Sequence, residues 1–192
     1  MKRMICLFAA AAALSSGTMS WGQAAAPPSE PSVKNVELTV YLLSGVQTGA
    51  TDDVPSDLAA TVKQLHSLFP YKGYKLAESF ILRGRSAMGG PQYQTARTEG
   101  VLPGSGLHYN FSYQRVRVSP EKPYMVHLDN LQISLTAPPV YGPDGKQRGN
   151  STVASISTDL DLGDGQKTVV GKSSINSTGD ALILVIVPRV IE

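Results

Sequence analysis

Two hydrophobic periods alternate along the first half of the chain. Residues 36–43, VELTVYLL, point Val36, Leu38, Val40 and Leu42 one way and Glu37, Thr39 and Tyr41 the other, which is the period-two mark of a half-buried strand. After a polar loop the period changes. In VPSDLAATVKQLHSLFP, Leu58, Val62, Leu65 and Phe69 recur at i, i+4, i+7 and i+11, one apolar stripe of an amphipathic helix. Pro55 suits its first position, Asp53 or Ser56 is placed to cap it, and Pro70 stops it. GYKLAESFILRGR, residues 73–85, reads as a strand again, so the front is strand–helix–strand.

The remainder reads as β. LHYNFSYQRVRV puts Leu107, Tyr109, Phe111 and Tyr113 on one face, then Val116 and Val118 on the opposite phase. A phase flip of this kind predicts a bulge or a change of partner. YMVHLDNLQISL behaves alike: Val126 and Leu128 share one phase, Leu131, Ile133 and Leu135 the other, with Asp129-Asn130 at the break. APPVYGPDGKQRGN is a turn-rich loop. STVASISTDLDL, a Gly-Asp-Gly turn, QKTVVGKSSI and the turn NSTGD lead to the closing run ALILVIVP. That run is far shorter than the ~20 apolar residues of a membrane helix and fits a strand. Its apolar residues are continuous, which predicts a central strand covered on both faces, and Pro188, lacking an N–H, is expected to end its ladder. Arg189 then falls at the rim of the sheet.

This pattern predicts an α+β domain, mostly antiparallel sheet and sandwich-like, with one N-terminal amphipathic helix. At 192 residues the chain suits a single domain, but its first residues read differently. Lys2 and Arg3, an apolar run from Met4 to Leu14 and small residues through Ala26 have the form of a secretory signal peptide cleaved after Ala24 or Ala26. The expected organisation is residues 1–24 as leader, 25–35 as a Pro/Ser/Ala-rich lead-in and 36–192 as one domain, with a periplasmic or extracellular destination. Cleavage would remove Cys6, the single cysteine, together with two of the 17 basic residues and none of the 15 acidic ones. The mature chain would hold no disulfide or thiolate site, no transmembrane helix and no net charge. A neutral surface gives no electrostatic case for nucleic acid.

Candidate chemistry is thin. Gly171-Lys172-Ser173 resembles the end of a phosphate-binding loop, but the earlier glycine, Gly165, is one residue too far away and β-formers intervene. Asp159, Asp161 and Asp164 lie close enough in sequence for calcium, although Gly163 takes a ligand position of the EF-hand order. A solvated strand face ending in an Asp-Gly turn explains the same residues. His66, His108 and His127 fall on the helix and two different strands without metal-ligand spacing, and Gly104-Ser105-Gly106 lacks the context of a nucleophile elbow. Asn110, Asn150 and Asn176 match the glycosylation pattern as polar-turn coincidences. No catalytic, cofactor-binding or metal-binding residue is assigned. Tyr109, Phe111 and Tyr113 are either ordinary sheet packing or an aromatic face for a ligand, with Tyr93 and Tyr124 near in sequence.

The segments LDLGDGQKTVVGKSSI and DALILVIVPRVIE resemble the C-terminal region of bacterial secretins, the outer-membrane channels of secretion and type IV pilus systems. Asp164, Gly165, Gln166, Val169 and Val170 match the family's first element; Leu182, Ile183, Ile186, Pro188, Arg189 and Val190 match the second. Gly171-Lys172 stands where the family has a double glycine, and NSTG alone replaces the long insert that carries gate and barrel strands. The strand–helix–strand is loosely similar to the small periplasmic modules of those proteins. The resemblance implies an exported, non-catalytic envelope component of such an assembly, pairing by strands with another envelope protein or with itself. The alternatives are a soluble periplasmic module binding through the aromatic face, and an enzyme whose residues do not stand out in sequence.

Overall fold

The structure is a computed structural model, and it describes residues 33–48, 51–86, 95–138, 140–141, 143–145, 147–148, 151–176 and 179–191. The expected leader, its cleavage site, most of the lead-in and Tyr93 lie outside them. In chain order the elements are β1 (Asn35–Val46), a 3-10 turn (Ser56–Leu58), α1 (Ala59–Leu68), β2 (Gly73–Arg85), β3 (Ala96–Val101), β4 (His108–Tyr113), β5 (Arg115–Val118), β6 (Met125–Thr136), β7 (Val140–Tyr141), β8 (Gln147–Arg148), β9 (Thr152–Gly163), β10 (Thr168–Ser174) and β11 (Ala181–Ile191). The fold class is as expected: antiparallel sheets with one short helix.

Sheet A runs β10-β11-β1-β2. In sheet B, β6 is flanked by β4 and β5 on one side and β9 on the other, with β3 outside β4. The inner faces of the two sheets share one core: Leu38, Val40 and Leu42 of β1 and Leu182, Leu184 and Ile186 of β11 pack with Phe111, Tyr113, Leu128 and Ile133 from sheet B. On the other face of sheet A, Leu58, Val62 and Leu65 bury against Leu43, Ile183, Val185 and Tyr74. The result is three layers. β11 lies between β10 and β1, and residues 181–186 are buried on both faces, which is why they read as one unbroken apolar run.

Both phase flips have a physical origin in facing irregularities. The β6–β9 register shifts between Leu128 and Leu131, and Asn130 sits there at φ 49°, a left-handed conformation that Asn tolerates better than most residues. Opposite, the Gln114 N–H between β4 and β5 donates to the Asp129 carbonyl (2.9 Å). The extra residues rotate the strands, so Val116, Val126 and Leu128 join Phe111, Leu131 and Ile133 in one core.

Three expectations need correction. Neither Asp53 nor Ser56 caps the helix: Pro55 precedes the 3-10 turn, no side chain caps it, and the Leu58 N–H donates to the Pro55 carbonyl (2.9 Å). Asp53 is held elsewhere, its backbone exchanging hydrogen bonds with Tyr74 and Leu76 as a one-residue parallel bridge on the edge of β2. Pro188 does not end the ladder, because β11 stays paired with β1 to Ile191. The Pro188 carbonyl accepts from the Gly165 N–H (2.8 Å), so its backbone polar atoms point away from β1, where no donor is missed. Thirdly, the region 137–150, expected as a loop, carries the small β7–β8 pair, and β3 appears in a stretch the alternation did not mark.

Candidate functional site

The two secretin-like segments meet at one end of sheet A. Residues Asp164 and Gly165 turn the chain from β9 in sheet B to β10 in sheet A, with Gly165 at φ 72°. Asp164 Oδ1 accepts the Val190 N–H (2.8 Å), the Asp164 N–H donates to the Tyr124 carbonyl (3.0 Å), and the Gly165 N–H reaches Pro188. The bonds to Val190 and Pro188 satisfy backbone groups of β11 beyond the reach of β10, whose pairing stops at Ile186. The Asp-Gly of the first segment is therefore stapled to the Pro-Arg-Val of the second.

Beside this staple is a cleft of about 600 Å³ lined by Glu37, Arg83, Lys122, Tyr124, Asp164 and Arg189. Its charges are ordered by sheet register, since Glu37 lies opposite Arg83 on β2 and opposite Arg189 on β11. Both Arg83 Nε and Nη2 reach Glu37 Oε2 (2.8 Å each). The Lys34 ammonium sits 3.6 Å above the Tyr124 ring, a cation–π contact, and donates to the carbonyls of Ser119 and Pro120 (3.3 Å each).

A second polar cluster lies on the outer face of sheet B. Register places Arg117, His127 and Asp161 in one row across β5, β6 and β9, with Asp129 opposite Arg115. His127 Nδ1 is 2.6 Å from Asp161 and Nε2 is 2.7 Å from Asp129, which also accepts from Arg117 (2.8 Å). Burial pushes the Asp129 carboxyl up, but the hydrogen bonds and charges of Arg117 and His127 outweigh it and hold Asp129 below the usual carboxylate range. Asp159 is engaged separately, accepting the N–H of the bulge residue Asn130 (2.6 Å).

The three aspartates considered for calcium thus serve three different partners, and among the described residues no group of three acidic, histidine or cysteine side chains is arranged to hold a metal. The histidines do not converge. His66, on α1, faces Asp52 (2.9 Å) and meets the Tyr74 ring edge-on at 4.8 Å. His108 is on β4, at a depression bordered by Glu99 and Thr136. Tyr74, buried between α1 and sheet A, has its hydroxyl pushed up to about 12, first by burial and then by Tyr71 and Asp52.

Tyr109, Phe111 and Tyr113 face inward. Their exposures of 8%, 0% and 2% place them in the inter-sheet core, and Phe80 of β2 stacks on Tyr109 at 5.4 Å. A ligand-binding face made of these rings is not what the fold presents; the packing alternative describes them. Two of them cover strand glycines: a Cβ on Gly100 would meet the Tyr109 ring at 2.7 Å, and one on Gly84 would meet the Tyr113 hydroxyl at 2.6 Å. That pairing accounts for the weak apolar signal of β3: its inward residues are Ala96, Thr98 and Gly100, and at Gly100 the filling comes from Tyr109 of the next strand. Tyr124, half-buried, is in the cleft and not with the other rings.

Among the described residues no helix is long and apolar enough to cross a membrane. No family model matches the sequence, and no curated protein does. Among solved structures the chain is similar to the T2SS secretin XcpQ from Pseudomonas aeruginosa, with 11% identity over 83% of this chain and a TM-score of 0.29. The match spans 57% of that chain. A likeness at that level carries no functional argument.

Proposed function

We propose that this is an exported, non-catalytic component of the bacterial cell envelope that serves an accessory or structural role in a secretion- or pilus-type assembly, engaging a further copy of itself or another envelope protein by strand pairing. The observation that carries the reading is the staple: the two segments that resemble secretins are one hydrogen-bonded unit, Asp164-Gly165 on Pro188 and Val190. The leader-like residues 1–24 support export.

The edge of β2 supports the mode of engagement. Among the described residues, its outer side is bridged only by Asp53 near Lys75. Further along, the Ser86 N–H donates to Lys34 at the start of β1, so by strand alternation the N–H groups of Ser79, Ile81 and Arg83 point away from β1; that of Ser79 is taken by the Glu78 carboxylate (2.9 Å), which leaves those of Ile81 and Arg83 for a further strand. An edge of unpaired backbone groups is a template for another strand, and Ile81 on it is 59% exposed.

Light scattering on the leaderless chain, together with cross-linking in envelope fractions, tests this. The expected result is concentration-dependent association that Ile81→Pro abolishes while the circular-dichroism spectrum and melting stay close to wild type, since the lost N–H is on the open side. A strict monomer with no cross-linked envelope partner overturns the proposal.

A further inference from the structure

We propose that a crevice at the opposite end of the sandwich is a binding site for an amphipathic anion, a linear apolar chain ending in a carboxylate, with Lys75 as the group that recognises the charge. This goes beyond the strand-pairing role and does not depend on it. The crevice, about 310 Å³, is lined by Leu43, Leu76, Leu102, Leu107, Ile175 and Leu182, with Lys75 among its polar residues. Its size is at the lower end of the ~300–1,000 Å³ of small-molecule pockets, and an apolar lining with a few polar groups is their usual composition.

Its position follows from register. Ser44 of β1 lies between Leu182 of β11 and Lys75 of β2, on the same face of β1 as the core residues Val40 and Leu42. The register shift between Leu42 and Leu43 carries Lys75 to this inner side, where an apolar residue would continue the core. Sheet B does not extend over the row; the loop after β3 does.

Closed turns hold both walls. In the β3–β4 loop the Leu102 N–H donates to the Leu107 carbonyl (2.7 Å), and Gly104 and Gly106 take φ values of 76° and 67° that permit the tight return. Across the crevice the Ile175 N–H donates to the Asp180 carbonyl (2.9 Å).

The charge pattern selects an anion. Asp180 is the acidic side chain of the lining, and its two oxygens already accept from the Gln47 N–H (3.1 Å) and Asn176 Nδ2 (3.0 Å). Among the described residues Lys75 makes no ion pair or side-chain hydrogen bond. An apolar slot whose acid is consumed by its own walls and whose cation is not fits a ligand with a hydrophobic tail and a carboxylate head, held by a charge-assisted hydrogen bond.

The test is titration of the leaderless protein with decanoate below its micelle concentration, read by calorimetry and by methyl shifts in the NMR spectrum. Saturable binding is expected, with shifts at Leu102, Leu107 and Ile175. Lys75→Glu, an exposed position, should leave the spectrum folded, weaken decanoate roughly tenfold or more and favour decyltrimethylammonium instead. No saturable binding of decanoate overturns the site, as do shifts confined to other methyls. Equal decanoate affinity in wild type and Lys75→Glu overturns the role of Lys75 and with it the proposed ligand class.

Discussion

Replacing Ile183 tests the three-layer arrangement most directly. Ile183 is fully buried on β11 among Leu43, Leu65 and Tyr74 on the helix side, while the adjacent Leu184 is fully buried in the core between the sheets. Truncating a buried Ile or Leu to Ala costs about 2–5 kcal/mol, the spread reflecting how far the cavity collapses. Collapse here is opposed from both sides, because β11 is hydrogen-bonded to β10 and β1 along these residues. The upper half of the range is therefore expected for Ile183→Ala and Leu184→Ala alike. In a domain of this size each kcal/mol lowers the melting temperature by about 2–4 °C, so each variant should melt some 7–20 °C lower. Urea unfolding followed by far-UV circular dichroism should show a single transition with an unchanged slope in both variants, as expected if the layers unfold together. Val187→Ala, at a half-buried position, should shift far less. Ile183→Asp places an unpaired charge at the same buried site, a loss of several kcal/mol against a total of ~5–15, and should not fold. A soluble Ile183→Asp protein melting cooperatively near the wild-type temperature would refute the central placement of β11.

Gly84→Ala should destabilise by about 1–3 kcal/mol through its contact with the Tyr113 hydroxyl, and a double-mutant cycle with Tyr113→Phe should recover part of the loss; strict additivity would disprove the contact. Asp129 has a folded-state pKa below its unfolded one, so its contribution is fully present above about pH 4 and disappears as pH falls through the folded value. Asp129→Asn should accordingly flatten the acid limb of the stability profile, and an unaltered limb would exclude that carboxylate as its source. Asp164→Ala should cost about 1–3 kcal/mol by leaving the Val190 N–H without its acceptor, and amide exchange at Val190 should speed up more than at Ile186.

What sequence made legible was burial, and what it hid was partnership. β11 was readable because a strand covered on both faces has no polar alternation to show. The bulges at Gln114 and Asn130 were readable because each shifts a run of apolar residues to the other phase. β3 was not, since its inward residues are small or polar and the space at Gly100 is filled by Tyr109 of β4. Helix capping by Asp53 or Ser56 was a sound local expectation overridden by an edge bridge to β2, which no local pattern encodes. The tyrosines left both readings open because inward and outward alternation look alike until the second sheet is in place. Lys75 illustrates the limit at the proposed crevice: its neighbours come from the β3–β4 loop and the β10–β11 turn, brought together by register and by a one-residue shift in β2.

The pairing of β1 with β11 joins the first described strand to the last, and this has a consequence for biogenesis. While β11 is still being synthesised, the central ladder of sheet A is missing and the inner faces of β1 and β2 have no complete partner. Contacts this distant in sequence are slow to form because the intervening chain must be ordered first. Sheet A therefore closes only once β11 is available to lie between β1 and β10, whatever the order in which the other strands form.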